Sequence, residues 1–546
     1  MESKNLTQNI NPLYLLASLA LGTIGAAAFN ALRKGSSETA QQHVFEENMS
    51  ANASAPQSPK RPTKKHVINK LMAKNANENE LVKELKNLEE ITCEIERVSN
   101  LAYDLKLQVL PLNVNPMLGN SNYRSVFGGE GFLPETAFVN HDCYILQHPN
   151  FGPNDLLSRT KRWLRSGPRK HLLFSPDEVK AGIVVVGGLL PGLNVIIREL
   201  TMCLFYNYKV QNIFGAKYGY NGIYNNDWIK LDPKMVKTIH HQGGCFLGTA
   251  RSKFDGEMIV DELAKNGINQ VYLIGGLGCM KSAEQLYEII KDRNLKISIV
   301  VIPKSIENEI PIIDKSFGFE TAIEEAQNPL KAAYQETHSK RYSVGIVRLW
   351  GVHTGFLALN ASLAFRSVNI CLVPEFEFDL YGEKGLLQYV YQRLQHKGTC
   401  IIVVAEGAAS SLRDCKINDK GRDASGNVKQ GDIGLFLKNA ILEFTREKGL
   451  NAEVKYIDPQ YMVRAGKANS LDSKLCSQLA QNAIHASMAG FTGFAVGHVS
   501  NKTCMIPLNE MNSGNYANRI TPSNISWQRL LAGTGQPSFI NNEQDI

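Results

Sequence analysis

Apolar and polar positions follow several distinct periods along this chain, and each period predicts a different element. Leu13 to Leu32 is an uncharged run of twenty residues closed by Arg33 and Lys34. At about 1.5 Å per residue it reaches roughly 30 Å as a helix, the hydrocarbon thickness of a bilayer. Ser18, Gly22 and Ala26 recur every fourth position, the small-residue face along which membrane helices approach one another. The expectation is a transmembrane helix over 13–32 behind a short tail, 1–12, with a cleaved signal sequence or a buried helix as alternatives. Residues 33–66, rich in Ser, Ala, Gln, Asn and Pro with no apolar period, read as a flexible linker. Over 67–110 the pattern is helical and amphipathic. Leu81, Leu85, Leu88, Ile91 or Thr92, Ile95, Val98, Ala102 and Leu105 form a near-heptad stripe, suited to a short coiled coil or to packing on the chain's own globular part.

From residue 111 the pattern changes to short, uniformly apolar runs, each followed by glycine and then an amphipathic stretch. Glu178–Val186 predicts a buried strand, running into Gly187–Asn194 and a helix over Val195–Phe205. Val271–Ile274 predicts a second strand, with a Gly-Gly-x-Gly turn at Gly275–Gly278 and a helix from near Lys281. Ile297–Ile302 predicts a third, ending in the polar segment Pro303–Glu309. Strand, glycine turn, helix and strand make a βαβ unit whose polar loops lie at strand C-ends, where open α/β sheets bind ligands. Glycine lets backbone approach a phosphate, and the following helix N-terminus supplies free N–H groups and a positive dipole end.

Composition narrows the classes without choosing among them. Hydrophobic residues make up 43% of the chain and charged residues 20%, as in an ordinary globular protein. The net charge of +7 is spread along the chain, and the one dense basic run, Lys60–Lys65, lies in the linker, so no nucleic-acid partner is expected. The ten cysteines include no CxxC pair, which fits free thiols in a reducing compartment and gives no zinc motif.

The pair GGLG at 275–278 and PKSIENE at 303–309 resembles the GGDGT and PKTIDND motifs of phosphofructokinases, closest to the plant-type ATP-dependent group. The resemblance runs from about Gly131 to Phe539 and its segments stand in family order: Leu133–His141, Ser166–Arg169, Gly187–Asn194, Tyr218–Gly222, Gly243–Arg251, Leu349–Phe356, Val373–Glu375, Asp458–Arg464, Trp527 and Thr534–Pro537. It implies an α/β phosphofructokinase-like domain over 111–540, two doubly wound Rossmann-like lobes facing a cleft, with a tail at 541–546. It implies a nucleotide side made of Gly187, Tyr220, Arg251, Ser252, Gly276, Gly278 and Cys279. It implies a fructose 6-phosphate side made of Lys304, Ser305, Glu307, Gly351, Glu375, Tyr461 and Arg464. Glu307 falls at the catalytic-base position and Arg251 at the arginine that touches the nucleotide phosphates. Self-association is also implied, because family members share sugar sites across subunits.

Phosphoryl transfer needs a metal on the phosphates, a carboxylate to take the hydroxyl proton, and cations on the transferring group. Against the family pattern, Leu277 replaces the magnesium-binding Asp, Glu307 and Glu309 replace two Asp, Ser305 a Thr, Cys279 a hydroxyl residue and Val352 an arginine. A leucine side chain offers no oxygen to a hard cation, so no side-chain metal ligand is expected at 277. The expectation is a catalytically degenerate phosphofructokinase homologue, an accessory or structural subunit of a membrane assembly. ATP and magnesium would be needed only if activity persists. The alternatives are a working ATP-dependent 6-phosphofructokinase tethered to a membrane, and a sensor that binds nucleotide or sugar phosphate without turnover. The mitochondrial inner membrane is the first expectation for location, the cytosolic face of another membrane the second.

Overall fold

The computed structural model describes residues 113–114, 138–140, 143–147, 161–250, 252–414, 431–514 and 518–541. The expected anchor over 13–32, the linker and the amphipathic stripe of 67–110 lie outside the described residues. Among the described residues no helix is long and apolar enough to cross a membrane.

In chain order the strands of the two large sheets are β1 Tyr144–Leu146, β2 Arg162–Arg165, β3 Lys180–Val185, β4 Asn212–Ala216, β5 Trp228–Lys230, β6 Gln270–Gly275, β7 Ser298–Ser305, β8 Phe317–Gly318, β9 Ser343–Leu349, β10 Ile370–Leu372, β11 Thr399–Ala405, β12 Glu453–Ile457, β13 Phe494–Val499 and β14 Lys502–Pro507. The first sheet runs β1-β2-β14-β13-β7-β6-β3-β4-β5, with β8 added at the end of β7. Its centre, β13-β7-β6-β3-β4, is parallel, while β5 on one side and β14, β2 and β1 on the other are antiparallel. The second sheet, β10-β11-β9-β12, is parallel throughout. The first lobe is thus a mixed sheet, with the parallel centre of a doubly wound lobe and antiparallel strands at both edges.

The central strands are buried on both faces, which is why they read as continuous apolar runs. Tyr272, Ile274, Val300 and Ile302 enter one core, and Val271, Leu273, Ile299 and Val301 enter the other. The first of these cores continues into the second lobe through Val347, Leu349, Leu357 and Val403. Helices α1 Leu193–Met202, α2 Leu277–Asp292, α3 Phe319–His338, α4 Phe356–Phe365, α5 Gln460–Ala465 and α6 Ser470–Met488 carry the segments around the cleft.

Three boundaries differ from expectation for local reasons. Helix α1 starts at Leu193, capped by Gly192 in the left-handed region, and passes at Cys203 into a π turn. Helix α2 starts at Leu277 rather than near Lys281, with Gly276 as its N-cap. Its buried stripe of Cys279, Met280, Ala283, Leu286 and Ile290 begins on the first turn, and Leu277 packs beside it. Finally, Pro303, Lys304 and Ser305 belong to β7 instead of a loop, because Phe317 and Gly318 pair alongside Lys304 and Ser305.

Candidate functional site

The C-terminal ends of β7 and β9 bring the segments 305–309 and 351–355 together from the two lobes. One Glu307 carboxylate oxygen accepts the Val352 N–H at 2.9 Å, and its backbone carbonyl accepts the Thr354 hydroxyl at 3.0 Å. The Glu307 N–H donates to Ser305 Oγ at 2.9 Å, and that hydroxyl in turn donates to Glu309. Burial first, and the Glu309 carboxylate second, push the Glu307 carboxyl well above the ordinary carboxylate range. The backbone groups of Val352 and His353 pull it back in part. Glu309 is raised as well, mainly by burial, with the Ser305 hydroxyl opposing. Glu307 is therefore held by backbone of the opposite lobe and sits beside a second carboxylate. Two nearby like charges favour proton uptake, so the pair holds protons more readily than free carboxylates do.

At the first glycine turn, where the resemblance implies a nucleotide, Gly187 has φ +86° and Lys304 Nζ donates to the Gly188 carbonyl at 2.6 Å. Buried Asn194 joins this turn to the next segment, donating to the Gln242 and Gly243 carbonyls at 3.1 and 3.2 Å and accepting from Phe246 N–H at 2.7 Å. Gly276 lies under the end of β7, where a Cβ would meet the Lys304 carbonyl at 3.4 Å, and Gly278 is exposed. Tyr220 and Cys279 are corrections: both are buried in the core beneath the turn. The Tyr220 hydroxyl shares a 2.6 Å hydrogen bond with Ser282. Burial pushes the Cys279 thiol up to about 12, so no reactive thiolate faces the cleft. The Ser252 hydroxyl is buried without a hydrogen-bond partner. Arg251 lies outside the described residues.

At position 277 the side chain rests against the core, and Gly276, Gly278 and buried Cys279 beside it bring no side-chain oxygen. Among the described residues no group of three or more His, Cys, Asp or Glu is placed to hold a metal ion. A hard cation such as magnesium takes oxygen ligands, so the side chains of this turn do not fit one.

Among the residues that the resemblance implies for a sugar phosphate, both Glu375 oxygens accept the Gly355 N–H at 3.0 Å, one also takes Ile520 N–H at 3.2 Å, and burial raises its carboxyl. Gly355 caps α4, so Glu375 anchors a helix N-terminus. Gly351 has φ +145°, and a Cβ there would press on the Thr354 carbonyl at 2.6 Å. Arg464 stands over the Trp350 and Tyr461 rings, 5.3 and 4.9 Å from their centroids, and points toward Gly188. Tyr461 is 74% exposed. Of the residues expected from sequence, Lys304, Ser305, Glu307, Gly351, Glu375 and Arg464 gather around the two facing loops.

Sequence reasoning missed the carboxylates that hold this geometry. Arg348, inside strand β9, binds Glu406 at 2.8 Å and Asp458 at 3.1 Å, with Asp432 at 3.7 Å. That tie fixes the start of the segment bearing Tyr461 and Arg464. A lone arginine within an apolar strand was the available signal. Fully buried Asp472 accepts Gly318 N–H at 3.0 Å and the Thr321 N–H and hydroxyl at 2.7 and 2.6 Å, pinning the start of α3.

The phosphofructokinase family model matches residues 180–487. The chain is 45% identical over 440 residues to ATP-dependent 6-phosphofructokinase 4, chloroplastic, of Arabidopsis thaliana, covering 80% of this chain and 80% of that protein. It is 41% identical over 435 residues to ATP-dependent 6-phosphofructokinase 7 of the same plant, covering 79% and 86%. It is 38% identical over 457 residues to the ATP-dependent 6-phosphofructokinase of Borreliella burgdorferi, covering 82% and 100%. Among solved structures, the pyrophosphate-dependent phosphofructokinase of Marinobacter aquaeolei shares the fold with a TM-score of 0.54 at 18% identity, over 63% of this chain and 86% of that one. With two facing α/β lobes, glycine turns at the strand ends and this sustained likeness along the sequence, the chain belongs to the phosphofructokinase family.

Proposed function

We propose that this chain is a phosphofructokinase fold that has lost useful phosphoryl transfer and works as an accessory or structural subunit of a membrane assembly, anchored through residues 13–32. One observation carries the reading: Glu307, at the base position, accepts a backbone N–H from Val352, the residue that stands where an arginine belongs. Leu277 adds that this turn carries an apolar side chain, packed on the core, at the position where the family has its metal ligand. Displacing a catalytic group by about 1 Å costs on the order of 10²-fold, and losing one charge-stabilising donor roughly 10²–10³-fold. The losses do not multiply cleanly, yet together they take a turnover of about 10 per second far below use.

The test is Mg·ATP-dependent phosphorylation of fructose 6-phosphate by the full chain, beside a Leu277→Asp, Val352→Arg double variant. Silence in the unaltered chain, with turnover in the variant, is the expected result. An ordinary kinase rate in the unaltered chain would overturn the reading. It would establish the second one, an active ATP-dependent 6-phosphofructokinase, which draws support from the names of the relatives at 38–45% identity. Under that second reading ATP and magnesium are cofactors and fructose 6-phosphate the substrate. A sensor would be silent but would bind one of them.

The mitochondrial inner membrane is the proposed site, the cytosolic face of another membrane the alternative, and protein partners or further copies of the chain complete the assembly. Retention in alkaline-washed membranes, lost when residues 1–66 are deleted, checks the anchor.

A further inference from the structure

On the first lobe, with no residue of the 276–279 turn or the 303–309 segment in its wall, lies an open cavity of about 680 Å³. It is bounded by the 165–168 segment after β2, by α6 and by the β13–β14 hairpin. Three carboxylates line it, and each is already engaged. Asp314 accepts the Ser500 and Asn501 N–H groups at 3.1 and 2.8 Å, Glu320 pairs with Lys315, and Asp472 holds the start of α3. Three further cations line the same cavity, Arg165, Lys474 and Lys502, all exposed, and none pairs with a carboxylate among the described residues. His498 adds a buried Nε2 with no hydrogen-bond partner, on a ring that feels the Asp314 carboxylate and, more weakly, the opposing Lys474 charge.

We propose that this cavity binds a small phosphorylated metabolite, separately from the cleft between the lobes. A volume of this size accommodates a compact metabolite, and small-molecule sites commonly span about 300–1,000 Å³. Two ammonium groups and a guanidinium converge on it. A phosphate offers each of them an oxygen from a different direction, and the charge-assisted bonds are about twice as strong as neutral ones. The ligand has a route to the cleft as well. Asp314 and Lys315 in the cavity wall adjoin Ser316, whose hydroxyl donates to the Ser305 carbonyl at 2.8 Å and whose N–H donates to Asn308 at 2.9 Å.

The experiment titrates the full chain calorimetrically with inorganic pyrophosphate as the probe. It compares the unaltered protein with Lys474→Gln/Lys502→Gln, with Arg165→Gln and with the cleft variant Arg464→Gln. The three cavity residues are exposed, so these substitutions leave the fold intact, which an unchanged thermal midpoint verifies. Removing one cation is expected to weaken binding on the order of tenfold or more. The double variant should lose more, while Arg464→Gln retains the cavity event. Three results would overturn the proposal: no binding by the unaltered chain at millimolar probe, unchanged affinity in both cavity variants, or complete loss in Arg464→Gln alone. None of them depends on kinase turnover, so this inference and the loss of catalysis fail independently.

Discussion

Replacing Glu307 with glutamine separates the cost of its charge from the value of its contacts. The amide oxygen can still accept the Val352 N–H that the carboxylate holds at 2.9 Å, so the tie between lobes survives. What disappears is a half-buried charge beside a second raised carboxyl, Glu309. Because burial and Glu309 raise the Glu307 carboxyl above its ordinary value, the folded chain binds its proton more tightly than the unfolded chain. That contribution to stability is complete below the ordinary carboxylate range and is lost as pH rises toward the raised value. A tenfold difference in proton affinity between the two states corresponds to about 1.4 kcal/mol. Allowing for solvent screening at a partly exposed site, Glu307→Gln is expected to gain about 1–2 kcal/mol at pH 8 and almost nothing at pH 4. Urea unfolding between pH 4 and 9, with the slope m held constant, reads this as a flatter stability–pH curve. Glu309→Gln should give a similar gain, and the double variant less than the sum, since each removes the same repulsion. Parallel curves for Glu307→Gln and the unaltered chain would refute the reasoning, as would a loss of stability at pH 8.

Two further perturbations test the supports of the site. His485 is buried with Tyr208 on Nδ1 at 2.6 Å, and burial lowers it from 6.5 to about 4. Its stabilising contribution is present above pH 6.5 and lost as pH falls toward 4, about 3 kcal/mol in all, and His485→Gln should abolish that part of the acid slope in denaturation curves. Asp472→Ala strands the Gly318 and Thr321 donors and is expected to cost about 2–4 kcal/mol, with accelerated amide exchange at the start of α3; an unchanged unfolding midpoint would show that α3 does not depend on this carboxylate.

Much of the fold was legible because the central strands are covered on both faces, so burial is written into consecutive apolar letters such as Val271–Ile274 and Ile299–Ile302. The glycine turns and the motif order carried the family. The antiparallel edges were not legible, since β1, β2 and β14 have a face and a partner only once the sheet assembles. Nor was the start of α2, which depends on a core waiting for Cys279 and Met280.

The site divides the same way. Residue identity alone determined that Leu277 can give no side-chain oxygen to a metal and that Val352 can give no side-chain cation. Only the tertiary structure decided that Tyr220 and Cys279 turn inward, that Val352 lends its backbone N–H to Glu307, and that Asp472 reaches back to Gly318. Chemical capacity belongs to a side chain wherever it stands. Direction, desolvation and partnership depend on segments far apart in the chain, and those meet only when the two sheets and their helices have packed.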